Sequence, residues 1–133
     1  MKLSVAECVI DFEAFNLKEE EMKFRGVAFI SGRFRGPNHW LIHLNVLKAE
    51  AAIPKLLEMG YAPICPHKIT EHMQDLFPDK TYLDMCLEII RALRPTRDIL
   101  YMLEGWEYSE GAIEEFDLAK DLGITIIEER DER

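Results

Sequence analysis

Four short apolar runs, each closed by a turn and separated by a helix-length stretch, constrain this chain more than any other feature. They are Val27-Ala28-Phe29-Ile30, Tyr61 to Cys65, Ile99 to Leu103 and Ile124 to Ile127. Runs this short, flanked by turn residues, read as strands buried on both faces. Between them the apolar residues recur at helical spacing. One such segment starts at Asn38 as N-cap and passes through Leu41, Leu44, Leu47 and Ala51; another carries Leu83, Cys86, Leu87 and Ile90. A third runs from the turn at Gly105 to a stop at Gly123. Strands alternating with helices imply an α/β fold with a doubly wound parallel sheet and right-handed crossovers.

Details follow from single residues. Pro54 is expected to interrupt or kink its helix, because it lacks an amide donor and clashes one turn back. Thr81 is expected to cap the helix that ends near Leu93. The loop from Pro66 to about Lys80 is long enough to be a lid or binding loop. Residues 26–133 form one α/β domain, and 133 residues suit a single core. Residues 1–25 stand apart as an N-terminal extension, either an added edge strand or an arm. The tail from Glu128 to Arg133 is charged throughout and reads as solvated.

The net charge of −9 leaves no basic stripe for a phosphate backbone, which argues against a nucleic-acid polymer as partner. Small anions remain candidates wherever a few arginines converge. The three cysteines, Cys8, Cys65 and Cys86, are widely spaced and lie in apolar runs, as reduced thiols of a cytoplasmic protein do. No apolar run reaches the ~18 residues of a membrane span, so no membrane partner is expected.

The segment Gly105 to Ala119 looks most like a site. It follows the third strand run, and ligands of open parallel sheets sit beyond the carboxyl ends of the strands. On a helical wheel, Glu115 shares a face with Ala112, Leu118, Ala119 and Leu122, while Glu114, Asp117, Lys120 and Asp121 lie opposite. A carboxylate against a core needs a partner, a raised pKa or a function. The plain alternative is a Glu at the stripe's edge that reaches solvent or an Arg.

The turn Ser31-Gly32-Arg33-Phe34-Arg35-Gly36-Pro37-Asn38 is the other candidate. Its glycines allow close backbone approach, a helix start follows, and Arg33 and Arg35 can grip an anion in bidentate fashion. The glycine spacing fits neither a Walker loop nor a dinucleotide fingerprint. A structural turn with solvated arginines is the competing reading. His39 and His43 have the i, i+4 spacing of metal ligands but no third ligand, so no metal or cofactor is expected. His67 and His72 are either ligand contacts from the long loop or solvated side chains. Trp106 is placed to stack on a planar ligand or to close the top of the core.

Three segments together resemble the nucleoside 2-deoxyribosyltransferase-like superfamily: Phe29-Ile30-Ser31-Gly32, Leu100 to Trp106, and Ser109-x-Gly111-Ala112-x-x-Glu115-x-x-x-Ala119. The likeness is nearest to small bacterial and phage members, in which a Gly-Trp-x-x-Ser-x-Gly segment precedes the Glu. It spans roughly Val27 to Ile127. The resemblance implies a flavodoxin-like, Rossmann-like three-layer sandwich that cleaves the N-glycosidic bond of (deoxy)nucleosides or their 5′-monophosphates. It makes Glu115 the nucleophile that forms a glycosyl-enzyme intermediate, released by a second base or by water. The family's orienting Tyr falls at Phe29, so that hydroxyl is missing. Ser109 stands where transferases commonly carry Asp, and Gly32-Arg33-Phe34-Arg35-Gly36 matches the Gly-x-x-Arg-Gly turn of monophosphate hydrolases.

The resemblance therefore favours a phosphorylated substrate and hydrolysis. It places Arg35 and Ser109 on the phosphate side, with Ser31, Gly32, Arg33 and Gly111 in the substrate-binding set. Trp106 and Asp84 fall on the base side, Asp84 as second catalytic residue and Glu88 as its alternative one turn away. It also implies a homo-oligomer with sites near subunit contacts. Two other readings stand beside it: a non-catalytic nucleotide-binding or sensing module of the same fold, and a structural or assembly protein.

Overall fold

The computed structural model describes residues 23–73 and 75–132. The expected N-terminal extension thus lies, up to residue 22, outside the described residues. In chain order the elements are β1 (Gly26–Ser31), α1 (His39–Glu58), β2 (Tyr61–Ile64), the short α2 (Pro66–Thr70) and α3 (Asp79–Arg91). Then come β3 (Ile99–Met102), a 3-10 turn (Trp106–Tyr108), α4 (Glu110–Leu122), β4 (Thr125–Glu128) and a closing 3-10 turn (Glu129–Glu132). The sheet is parallel throughout, with strand order β2-β1-β3-β4.

Side-chain alternation along the two central strands divides the core into two layers. Ala28, Ile30, Ile99 and Tyr101 face α1, packing on Ala49, Ala52 and Leu56. Phe29, Leu100 and Met102 face the other way, onto Ile90 of α3 and Ala112 and Ala119 of α4. The result is the three-layer, doubly wound α/β sandwich that the sequence pattern implies. The chain adds β2 on one side of β1, then returns past β1 to add β3 and β4 on the other. The crevice of such a sheet opens where the direction of winding reverses, beyond the ends of β1 and β3.

Several local expectations hold. Asn38 Oδ1 accepts the Leu41 amide at 2.9 Å, which starts α1. Gly123 ends α4 in the left-handed region at φ +74°, a conformation that costs a side-chain-bearing residue far more. Pro63 is tolerated in β2 because, among the described residues, this strand is at the sheet edge and bonded only to β1. Asp98, 3% exposed, fixes the entry to β3: its carboxylate accepts the amides of Val27 (2.8 Å) and Arg94 (2.7 Å) as well as the Arg94 guanidinium. The Arg94 side chain is the main reason that its pKa falls to about 2.

Others need correction. Pro54 does not break α1, which runs unbroken to Glu58. Burial of Ala49, Ala52 and Leu56 against the sheet on both sides of Pro54 holds the helix through the missing bond. Thr81 does not cap α3, which begins at Asp79 after Pro78. Leu122, expected on the apolar face, is 39% exposed at the last position of α4, next to the Gly123 cap.

Candidate active site

The residues at the carboxyl ends of β1 and β3 and at the start of α4 surround a cleft of about 650 Å³, a volume suited to a small ligand. The loop from Gly32 to Pro37 lines it, together with Leu83 and Cys86 of α3. Tyr108 to Ala112 and Glu115 line the side contributed by β3 and α4, and Pro66, His67 and Thr70 of α2 complete the lining. Gly32 is required here: a Cβ on it would lie 2.8 Å from the Leu103 side chain.

Glu115 lies in the cleft wall and is 7% exposed. Its position follows from the turn before it. Ser109 caps α4 by accepting the Ala112 amide at 3.2 Å, which sets the phase of the helix so that Ala112, Glu115 and Ala119 are its buried residues. Ser31 Oγ, at the end of β1, donates to Glu115 Oε1 at 2.6 Å, a length typical of a hydroxyl on a charged carboxylate. The Cys86 thiol, also in the cleft lining, lies near enough to favour the charged form of Glu115. Burial raises the Glu115 pKa to about 7; the Ser31 bond and the Cys86 thiol oppose that rise, and nearby Glu114 adds to it. The same burial and the same carboxylate push the Cys86 thiol well above its usual range, so it remains neutral.

The loop wall supplies the cations. Arg33 and Arg35 are exposed at the cleft, and Arg35 is ion-paired with Asp79 from the first turn of α3. Lys80 also lines the cleft while bonding Asp84 at 2.9 Å. Gly111 lies at the start of α4, within the lining. Gly32, Arg33, Arg35, Ser109, Gly111 and Glu115 are therefore gathered in one cleft, and Ser31 is buried behind it, bonded to Glu115.

Three other sequence candidates are not. Trp106 does not line the cleft: its indole stacks on Phe116, with ring centroids 4.6 Å apart, and Nε1 donates to Glu128 at 2.9 Å. Burying that ring against α4 satisfies both its apolar body and its N–H. Tyr108, 80% exposed, is the aromatic side chain that this turn presents to the cleft. Asp84 and Glu88 point to the solvent side of α3, paired with Lys80 and Arg91 in i, i+4 and i, i+3 fashion. Neither lines the cleft, because α3 turns Leu83 and Cys86 inward.

His67 is 5% exposed, and burial lowers its pKa. His39 and His43 are exposed on α1, and no group of three metal-type ligands forms among the described residues. The site roles of Cys86, Asp79 and Tyr108 were not read from sequence. Only Cys86 left a signal, as the one polarisable residue among the inward positions of its helix.

The family model described as "Domain of unknown function (DUF4406)" matches residues 27–128, from the start of the central strand to the end of β4. The chain belongs to this family. No curated protein and no solved structure matches it. The DUF4406 match contains every residue of the cleft lining, so the site lies wholly within the family domain. Among the described residues, no helix is long and apolar enough to cross a membrane.

Proposed function

We propose that this protein cleaves the N-glycosidic bond of a nucleoside 5′-monophosphate, with Glu115 as nucleophile. The observation that carries the reading is a buried carboxylate, held by the Ser31 hydroxyl, in a cleft that Arg33 and Arg35 also line. The motif likeness to the nucleoside 2-deoxyribosyltransferase-like superfamily supports the same assignment.

In this reaction a Glu115 oxygen attacks the anomeric carbon as the bond to the base breaks, and the base leaves with the electron pair and takes up a proton. Water then attacks the glycosyl ester, placing its oxygen on the sugar and returning Glu115 as carboxylate. A carboxylate held by few donors in an apolar wall is poorly hydrated and therefore more nucleophilic. Ser31 supplies the orienting hydroxyl that Phe29, wholly buried in the core, lacks. Arg33, Arg35, Ser109 and Gly111 form the phosphate side, with Ser109 keeping its hydroxyl proton to donate while its oxygen caps α4. Homo-oligomerisation and a cytoplasmic setting accompany this proposal.

A second reading has its own support. Asp84 and Glu88, the expected proton donors to a leaving base, both lie outside the cleft, which fits a nucleotide-binding module without turnover. One experiment separates the two. The protein is incubated with nucleosides and their 5′-monophosphates, free base is measured by chromatography, and thermal stability is followed in parallel. Base release that is lost in Glu115→Gln supports the enzyme; stabilisation without release supports the binding module.

A further inference from the structure

The cleft loop is held by two side chains to which the reaction above gives no part: Asn45, outside the cleft, and His67, in its lining. His67 Nε2 lies 3.0 Å from the Arg33 carbonyl oxygen. Asn45 Nδ2 donates to the Phe34 carbonyl at 3.2 Å and to the Arg35 carbonyl at 3.3 Å. Three consecutive carbonyls are thereby tied by donors from two different helices, α1 and α2.

The chemistry of His67 fixes its part. Its Nδ1 is buried and has no hydrogen-bond partner, so a proton there would be stranded. The neutral ring therefore carries its proton on Nε2, where it donates to Arg33.

Tying a carbonyl also aims the next amide. None of the described peptides is cis, and in a trans peptide the N–H points opposite to the C=O. Asn45 does not line the cleft, whereas Phe34, Arg35 and Gly36 do. Drawing the Phe34 and Arg35 oxygens toward Asn45 thus turns the Arg35 and Gly36 N–H groups toward the cleft side. An anion is attracted by such N–H groups and repelled by carbonyl oxygens, so peptide orientation decides whether the loop accepts phosphate.

We propose that Asn45 and His67 are positioning residues that lock the Gly32–Pro37 loop in its anion-accepting conformation, and so select 5′-monophosphates over unphosphorylated nucleosides. The proposal rests on the assignment of this loop as the phosphate side of the site. It adds two residues to the determinants of specificity, both acting through the loop backbone.

The test compares Asn45→Ala, His67→Ala and His67→Gln with the unmodified protein on the four deoxynucleoside 5′-monophosphates and their nucleosides. KM and kcat are measured for turnover, and thermal stabilisation for binding. The expected result is a rise of roughly fivefold in the ratio of monophosphate KM to nucleoside KM for both alanine variants, with kcat little changed. His67→Gln, whose amide can still donate to Arg33, should stay close to the unmodified protein. Should His67→Ala not fold, Asn45→Ala and His67→Gln still decide the matter. A ratio that does not move overturns the clamp and leaves the glycosidase assignment standing. Binding without turnover, weakened selectively for monophosphates in Asn45→Ala, overturns the glycosidase assignment and keeps the clamp. Neither turnover nor stabilisation with any of these compounds overturns both.

Discussion

Ser31 Oγ and Glu115 Oε1, 84 positions apart in the chain, are joined by a 2.6 Å hydrogen bond that ties the end of β1 to the first turns of α4. The bond favours the charged carboxylate against the burial that opposes it. Removing the hydroxyl in Ser31→Ala should raise the Glu115 pKa above its present value. The rising limb of kcat/KM against pH should then move to higher pH, with a fall of about tenfold or more at pH 7. A limb that stays in place in the variant would show that Ser31 does not govern this carboxylate.

Glu115 should cost the folded protein stability at high pH. Its native pKa is raised from 4.5 to about 7, so the fold binds this proton more tightly than the unfolded chain does. The resulting stabilisation is complete below about pH 4.5 and is lost as pH rises through about 7. Glu115→Gln does not titrate. It should be more stable than the unmodified protein by about 2–3 kcal/mol at pH 8, with the gap closing near pH 4. Denaturant melts at the two pH values measure this, and an equal difference at both would contradict the assignment.

The ion pair between Arg35 and Asp79 places a carboxylate where a phosphate would be received. Both side chains are substantially exposed, so the pair itself adds little to stability. Asp79→Asn should tighten binding of nucleoside monophosphates about three- to tenfold and leave nucleosides unaffected. Calorimetric titration at low salt gives the comparison; weaker binding would mean that Asp79 supports the site instead of competing for it.

Trp106 should serve the fold and Tyr108 the cleft. Trp106→Phe loses the bond to Glu128 and part of a stacked pair, so it should destabilise the fold by about 1 kcal/mol while KM changes less than about twofold. Tyr108→Ala, at an exposed position on the cleft, should barely affect melting and should raise KM severalfold. The opposite pattern, with KM sensitive to Trp106 alone, would restore the indole as the stacking surface.

The strand runs were legible because burial on both faces leaves an uninterrupted apolar signature, and the helix ends because Asn38 and Gly123 have local chemistry. Glu115 was legible because one carboxylate broke an otherwise apolar helical face. Other features were not local. Whether Pro54 ends a helix depends on what Ala52 and Leu56 bury against, and an indole at a strand end turns toward whichever surface satisfies its N–H.

Sequence alone thus determined the alternation of strands and helices, the turn glycines, and the presence of one acid on the wrong side of α4. Tertiary structure alone decided which residues meet that acid. Ser31 and Cys86 reach Glu115 only because parallel pairing of β1 with β3, and packing of α3 beside α4, bring distant segments to one crevice. Asp84 and Glu88 are excluded from it by the rotation of α3 about its own axis, which packing against the sheet sets.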